Sequence, residues 1–407
     1  MRNIRIDSIL LFALVVPFIM TYRIGPSETP YWLFGLIFFG LFSYIALDIF
    51  KFAEGVIFRF KQIILWFLIF GVIGSAVFSA IIVRHKTHPA YMIHDIIIQQ
   101  ESAVRFLLHG KNPYSATYFD TPLAQWHYSD KDTNPALYHF VMEPFYLIFA
   151  IPFYLISSRI FGFFDGRMPL FFLFFAMFLI VWRLVKDKSK RLLFITLLAF
   201  NPAMLGYTLE GRSDIFMFAF LFLGLYLLHK KKFLLAGLPI ALAFTVKQSV
   251  WPILPFYFAF IYCKNKNFKK TLKDILPFVI TFAAITLPFF FWNQKAFLDS
   301  TIFYLSGNIA HGYPISGYGW GMILTQMGVI KDANQYYPFQ IWQAVIGIPL
   351  IAVLVKNLKN NLTVGRLILV YGIFLFVFWY FSRYLNNSHL GYLSLVFIAA
   401  YFWPDEK

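Results

Sequence analysis

The chain has 407 residues, of which 60% are hydrophobic, 21% aromatic and only 13% charged, with a formal net charge of +16. A soluble domain carries about a quarter charged residues, so this composition excludes two or three soluble domains and points to a helical membrane protein. The positive charge falls in clusters between apolar runs, which fits basic cytoplasmic loops rather than a nucleic-acid partner, and no nucleic acid is expected.

Apolar runs predict about 12 crossings, at residues 7–23, 31–50, 62–83, 168–186, 191–209, 213–229, 232–247, 249–263, 274–292, 338–356, 364–382 and 389–404. All must be helical, because lipid offers no partner for free backbone groups. The fold class is therefore all-α, a polytopic transmembrane bundle read as one integral membrane domain over residues 1–407. The first run follows Arg2 and Arg5 and lacks a small-residue cleavage site, so it reads as an uncleaved span. Cys263 is the one cysteine, so no internal disulfide is expected.

Basic clusters at Arg2/Arg5, Lys51/Arg59/Lys61, Arg183 to Arg191, Lys230 to Lys232, Lys264 to Lys273 and Lys356/Lys359/Arg366 belong in the cytoplasm by the positive-inside rule. Residues 136–164 resist, since one more crossing there would place every later cluster outside. They also contain Glu143, Pro144 and Pro152. We read them as interfacial or re-entrant. Two large outer loops follow, at 84–167 and 293–337. All histidines except His229 then lie outside, with most of the acids, and chemistry is expected on that non-cytoplasmic face.

In the first outer loop, "HDIIIQQESAVRFLLHGKNPYS" (His94 to Ser115) reads as a helix ended by Gly110. Asp95, Gln99, Ser102 and His109 share one stripe, and His94, Glu101 and Arg105 the next. Such a helix should lie on the membrane surface. Its polar face is either merely solvated or catalytic. Asp95, at the helix start where the dipole favours an ionised carboxylate, is the best-placed general base. His94 and Glu101 could touch an acceptor or a sugar. Asp120, Asp130 and Asp132 read as surface charges.

"LEGRSDIF" (Leu209 to Phe216) puts Arg212 and Asp214 at a span boundary, either as an anchor or facing a polar cavity. "TVKQSVWP" (Thr245 to Pro252) forms the tip of a hairpin whose arms have about 14 residues each, roughly 21 Å. That falls short of the ~30 Å hydrocarbon core. Lys247 should then sit below the outer headgroups, which is costly without a partner or a wet cavity. It could snorkel, or bind a lipid phosphate. "NIAHGYPISGYGWG" suits either an aromatic belt or a lid in which Tyr318 and Trp320 stack on a sugar. "FSRYLNNSHLGY" places Arg383 and His389 in a tight outer turn, as a basic anchor or a phosphate clamp. No metal motif, P-loop or dinucleotide fingerprint occurs, so a transferred sugar should come from a lipid carrier.

These patches, in this order, resemble the GT-C superfamily of polytopic glycosyltransferases. "AVRFLLHGKNPYSATYFDTPL" (Ala103 to Leu123) is similar to the first loop of the GPI mannosyltransferase catalytic subunit, and "VKQSVWPILPF" (Val246 to Phe256) to the dolichyl-phosphate-glucose-dependent transferases. The resemblance implies surface-lying helices and transfer of a hexose, mannose favoured, from a polyprenyl-phosphate sugar. The acceptor would be a glycan or glycolipid hydroxyl outside the plasma membrane. It also implies a donor phosphate held by Lys247, Arg383, His389 and Arg212. The mannosyltransferase carries Asp-x-Asp where this chain has His94-Asp95-Ile96-Ile97. The single Asp makes Asp95 a lone base and leaves a divalent metal open. A transporter or flippase of a lipid-linked or small anionic solute is the alternative; it would need polar residues at mid-depth.

Overall fold

The computed structural model describes residues 4–21, 30–50, 52–127 and 133–405. Arg2, Lys51, Asp130 and Asp132 lie outside the described residues.

The described chain is almost entirely helical. α1 (Ile6–Thr21), α2 (Tyr31–Ile49) and α3 (Glu54–Lys86) come first. α3 continues through a π-turn at Ile69–Gly74. The loop that follows holds α4 (Asp95–Leu108) and α5 (Ile151–Phe161). Next come α6 (Arg167–Leu184), α7 (Lys188–Ala199) and α8 (Asp214–His229). The hairpin arms are α9 (Phe233–Phe244) and α10 (Leu254–Asn265), with α11 (Phe268–Trp292) behind them. α12 (Phe339–Asn360), α13 (Val364–Tyr380) and α14 (Asn387–Phe402) close the chain. α8 packs along α9, α9 along α11 and α13 along α14.

Among the described residues five helices, α2, α3, α6, α11 and α12, are long and apolar enough to cross a membrane unaided. α12 leaves Ile341, Val345, Ile348 and Val353 uncovered along one side. Such a stripe is stable only against lipid or another chain. Side-chain caps start three of the helices on the hydrophobic bundle: Asp187 on the Lys190 N–H, Asn267 on Lys270 and Thr363 on Arg366.

The sequence reading needs three corrections. The expected crossing at 191–209 is broken, because α7 stops at Ala199 and a separate six-residue helix, Leu205–Glu210, follows Asn201-Pro202. Proline lacks the N–H that would continue the ladder. Lys61, grouped with the solvated basic clusters, is fully buried. Its Nζ lies 2.8 Å from Asp7 and 2.7 Å from Asp48, tying α1, α2 and α3 together. A buried ammonium is tolerable only with such partners.

α4 is the third correction. Residues Asp95 to Val104 are all buried, so it is an interior helix and not a surface one. Much of its polar face is bonded to protein. Gln99 donates to the carbonyls of Ala136 and His139, and Gln100 to that of Tyr146. Glu101 accepts from Arg84 at 2.7 and 2.8 Å and from the Gly166 N–H at 3.0 Å. Arg84 also reaches Asp165, which holds Arg167. Burial alone would raise the Asp165 carboxyl, but Arg167, His85 and Arg84 hold it well below the usual range. The segment 136–164 breaks into short pieces, of which α5 is the longest at 11 residues. That is about 16 Å, too short to span. Its many exposed apolar residues, among them Ile156 and Ile160, make α5 the surface-lying helix.

Candidate functional site

The site is built where several elements meet at one end of the bundle. Three helices turn their N-terminal ends to one cavity of about 120 Å³: α4 through Asp95 and Ile96, α8 through Asp214, and α14 through Ser388 and His389. Helix N-termini carry partial positive charge and free N–H groups, so the cavity suits an anion before any side chain is counted.

The "EGRSD" turn makes this convergence possible. Gly211 takes φ +91 and its Cα faces Ile97 of α4 so closely that a Cβ would collide with it. The Glu210 carbonyl accepts the His94 N–H at 2.8 Å, which docks the start of α4 beside the start of α8.

Lys247 sits at the hairpin tip, as expected, and has both a partner and a cavity. Its Nζ lies 2.8 Å from Asp214 Oδ1, and it lines the cavity. Arg212 lines it too, stacked over Tyr207 at 4.7 Å; its Nε lies 3.7 Å from Glu210 and makes no hydrogen bond among the described residues. His389 accepts the Asn386 N–H on Nδ1 at 3.1 Å. That places its proton on Nε2 as a neutral donor. Asp95 lines the same cavity. Its Oδ1 is 2.6 Å from His94 Nδ1, and its Oδ2 accepts from Asn134 at 3.2 Å. The same His94 Nδ1 accepts the Ile96 N–H at 3.3 Å and so caps the start of α4.

Six of the ten residues singled out in the sequence therefore converge: His94, Asp95, Arg212, Asp214, Lys247 and His389. Four do not line this cavity. Glu101 is committed to Arg84 on the other side of α4. Arg383 donates to three backbone carbonyls, those of Tyr313, Gln335 (2.8 Å) and Ala333 (3.0 Å). It latches the loop 307–335 rather than presenting a free fork to a phosphate. The same loop is pinned by two paired strand fragments, β1 (Ser316–Gly317) and β2 (Tyr384–Leu385). Tyr318 is exposed, and Trp320 packs on Trp342 and Phe381.

Sequence reasoning missed Tyr304, Tyr313, Tyr384 and Gln248, which also line the cavity, beside Asn386 of the outer turn. Burial raises the hydroxyls of Tyr304 and Tyr313 above their ordinary range, and the Asp95 charge adds to it, so both stay protonated donors. Their one sequence signal was aromatic density in the loop, which does not say which ring turns inward.

A second cavity of about 370 Å³ adjoins the first and shares Gln248, Ser249, Leu305 and Tyr384 with it. It is mainly apolar, walled by Trp251, Phe339, Phe374 and Phe378. Among the described residues no group of three or more His, Cys, Asp or Glu is placed to hold a metal ion. A polar cavity suited to an anion, joined to an apolar groove, is the layout of a site for an amphipathic, negatively headed ligand.

A family model, glycosyltransferase family 87, matches residues 140–400. The chain belongs to glycosyltransferase family 87. That family is of the GT-C type, which bears out the resemblance drawn from the sequence patches. No curated protein and no solved structure matches the chain. Family membership makes a membrane glycosyltransferase the supported activity. The matched range holds Arg212, Asp214, Lys247 and His389; Asp95 and α4 precede it.

Proposed function

We propose that this family 87 protein transfers a hexose, mannose favoured, from a polyprenyl-phosphate carrier to an acceptor hydroxyl on the non-cytoplasmic face of the plasma membrane. One observation carries the reading: the polar cavity bearing Lys247, Arg212 and three helix N-termini opens into the apolar groove through Gln248, Ser249, Leu305 and Tyr384. The groove suits an isoprenoid chain, and the cavity its phosphate and sugar.

In this reading Asp95 takes the proton from the acceptor hydroxyl as the oxygen attacks the anomeric carbon. The bond from that carbon to the phosphate oxygen breaks, and the carrier leaves as the phosphate. Lys247, Arg212 and the Nε2–H of His389 neutralise the charge that grows on the leaving group, which counts most in a site with little water. Arg383 is kept out of that role by its three carbonyl partners and shapes the wall instead. Glu101, Tyr318 and Trp320 are likewise outside it. His94 orients Asp95. The acceptor is a glycan or glycolipid held among Tyr304, Tyr313 and Asn386. No step requires a nucleotide or a metal ion; whether a divalent ion assists is tested by adding a chelator.

The test is direct. Purified protein in lipid nanodiscs is incubated with a panel of polyprenyl-phosphate hexoses and a glycolipid extract. Release of polyprenyl phosphate with sugar incorporated into the extract is the expected result. Donor movement across a proteoliposome bilayer without any sugar transfer would favour a flippase and overturn the proposal.

A further inference from the structure

Glu143 is 1% exposed, and neither of its carboxyl oxygens has a hydrogen-bond partner. Its backbone is fixed to the tip of the hairpin that carries Lys247. The Glu143 N–H donates to the Val246 carbonyl at 3.1 Å, and the Phe145 N–H to that of Thr245 at 2.8 Å. An acid locked in this position, without a partner, is expensive unless it stays uncharged.

The titratable and charged groups on the neighbouring segments are already engaged. The Tyr114 hydroxyl donates to the Met142 carbonyl at 2.8 Å. Lys247 is turned to Asp214, Asp299 is paired with Lys295, and the His139 ring meets the Ala310 carbonyl. Tyr304 lines the cavity with its hydroxyl protonated. Gln248 is the group that matters most. Its amide nitrogen donates to the Val141 carbonyl at 3.1 Å and to the Thr301 carbonyl at 3.2 Å. An amide has two such hydrogens, and the Glu143 carboxyl beside it is a third acceptor within reach. Thr301 belongs to the π-turn Asp299–Phe303, whose irregular ladder gives Gln248 a carbonyl to hold. Gln248 thus joins three chain segments at the seam between polar cavity and apolar groove.

We infer that Glu143 is a positioning residue for the transfer reaction and acts through Gln248. Uncharged, it leaves both amide hydrogens of Gln248 on the Val141 and Thr301 carbonyls, and the seam keeps its shape. Ionised, the carboxylate competes for those hydrogens and pulls Gln248 from the seam. Burial pushes the Glu143 carboxyl up to about 8, with the nearby Gln248 amide as the opposing influence. The uncharged state is therefore the one present at neutral pH. This inference rests on the polyprenyl-phosphate reading, because the seam is where that carrier's phosphate would lie.

Glu143→Gln keeps the shape and cannot ionise. Donor KM and kcat are measured from pH 6 to 9.5 for both proteins in nanodiscs. The uncharged fraction falls from about one half at pH 8 to about one eleventh at pH 9, so the wild-type donor KM should rise roughly fivefold across that unit, with kcat little changed. The Glu143→Gln variant should be active with no such rise. Thermal unfolding supplies a readout independent of activity. A carboxyl raised in the folded state contributes stability that is full below its ordinary value of 4.5 and lost by about 8. Wild-type melting should therefore fall across that window relative to Glu143→Gln. An alkaline rise in KM that persists in Glu143→Gln, or melting curves that stay parallel, overturns the inference alone. Wild-type protein inert toward every polyprenyl-phosphate sugar at pH 7 overturns the functional reading, and this inference with it.

Discussion

Lys247 Nζ lies 2.8 Å from Asp214 Oδ1, and the pair joins the tip of the short hairpin to the first turn of α8. The Asp214 side chain is 1% exposed and that of Lys247 20%. Neither charge could stay there alone. The pair holds the ammonium at the cavity wall without neutralising the three helix ends around it.

Lys247→Met should therefore damage both folding and chemistry. Removing one partner of a buried pair costs about 3–5 kcal/mol, because the other is left uncompensated. The double variant Lys247→Met/Asp214→Leu should recover most of that stability and none of the transfer. Melting temperature and sugar-transfer rate, measured on both variants, separate the two roles. Transfer restored in the double variant would remove Lys247 from the reaction.

Asp95→Asn should abolish transfer in a folded protein. The amide keeps the shape and can still pair with Asn134, but it cannot take a proton. Loss of a positioned general base lowers the rate by roughly 10²–10⁴-fold. Binding of the donor should be little affected if the proposed role holds, since a base for the acceptor hydroxyl need not touch the phosphate. Equal loss of donor affinity would show that Asp95 shapes the cavity instead.

Much of this site was legible in the chain because lipid makes charge expensive. His94, Asp95, Arg212, Asp214, Lys247 and His389 stand at the ends of apolar runs, and such residues must gather around water, ligand or each other. The short hairpin arms gave the position of Lys247 by length alone. Helical spacing was less informative for α4. It found the polar face but took it for a wet one, because a pattern of polar residues does not reveal whether carbonyls or water satisfy them. Arg383 misled for a related reason. Its neighbours in sequence suggest a phosphate clamp, while its partners lie about 50 or more residues away, at Tyr313, Ala333 and Gln335. Such long-range contacts leave no local signal. Glu143 was noticed as an oddity in an apolar segment, and its neighbour Gln248 only as part of a motif.

Arg383 supplies a third prediction. Arg383→Lys should destabilise the loop 307–335 nearly as much as Arg383→Ala, because a lysine cannot meet three carbonyls from one planar fork. Gly307, at φ +73, is pressed against the same guanidinium, and a Cβ there would strike it. Gly307→Ala should therefore reproduce the effect without touching any charge. Proteolysis within the loop, compared across the three variants, measures it. A loop as resistant in Arg383→Ala as in the wild type would return Arg383 to the phosphate.

The apolar groove makes the last prediction. Phe378 and Trp251 wall it beside the shared residues Gln248 and Leu305. Each buried methylene of a bound chain contributes about 0.8 kcal/mol. Donors with longer isoprenoid chains should consequently bind more tightly until the groove is filled. Phe378→Glu places a carboxylate in that wall, where it meets apolar surface and repels an incoming phosphate. Donor KM should rise at least tenfold for long-chain donors. For a water-soluble donor carrying one isoprene unit the change should be small, since little of that chain reaches Phe378. kcat should hold for both, because Phe378 does not line the cavity of Asp95 and Lys247. If the two donors suffer equally, the groove does not hold the carrier, and the chain must leave the cavity by another path.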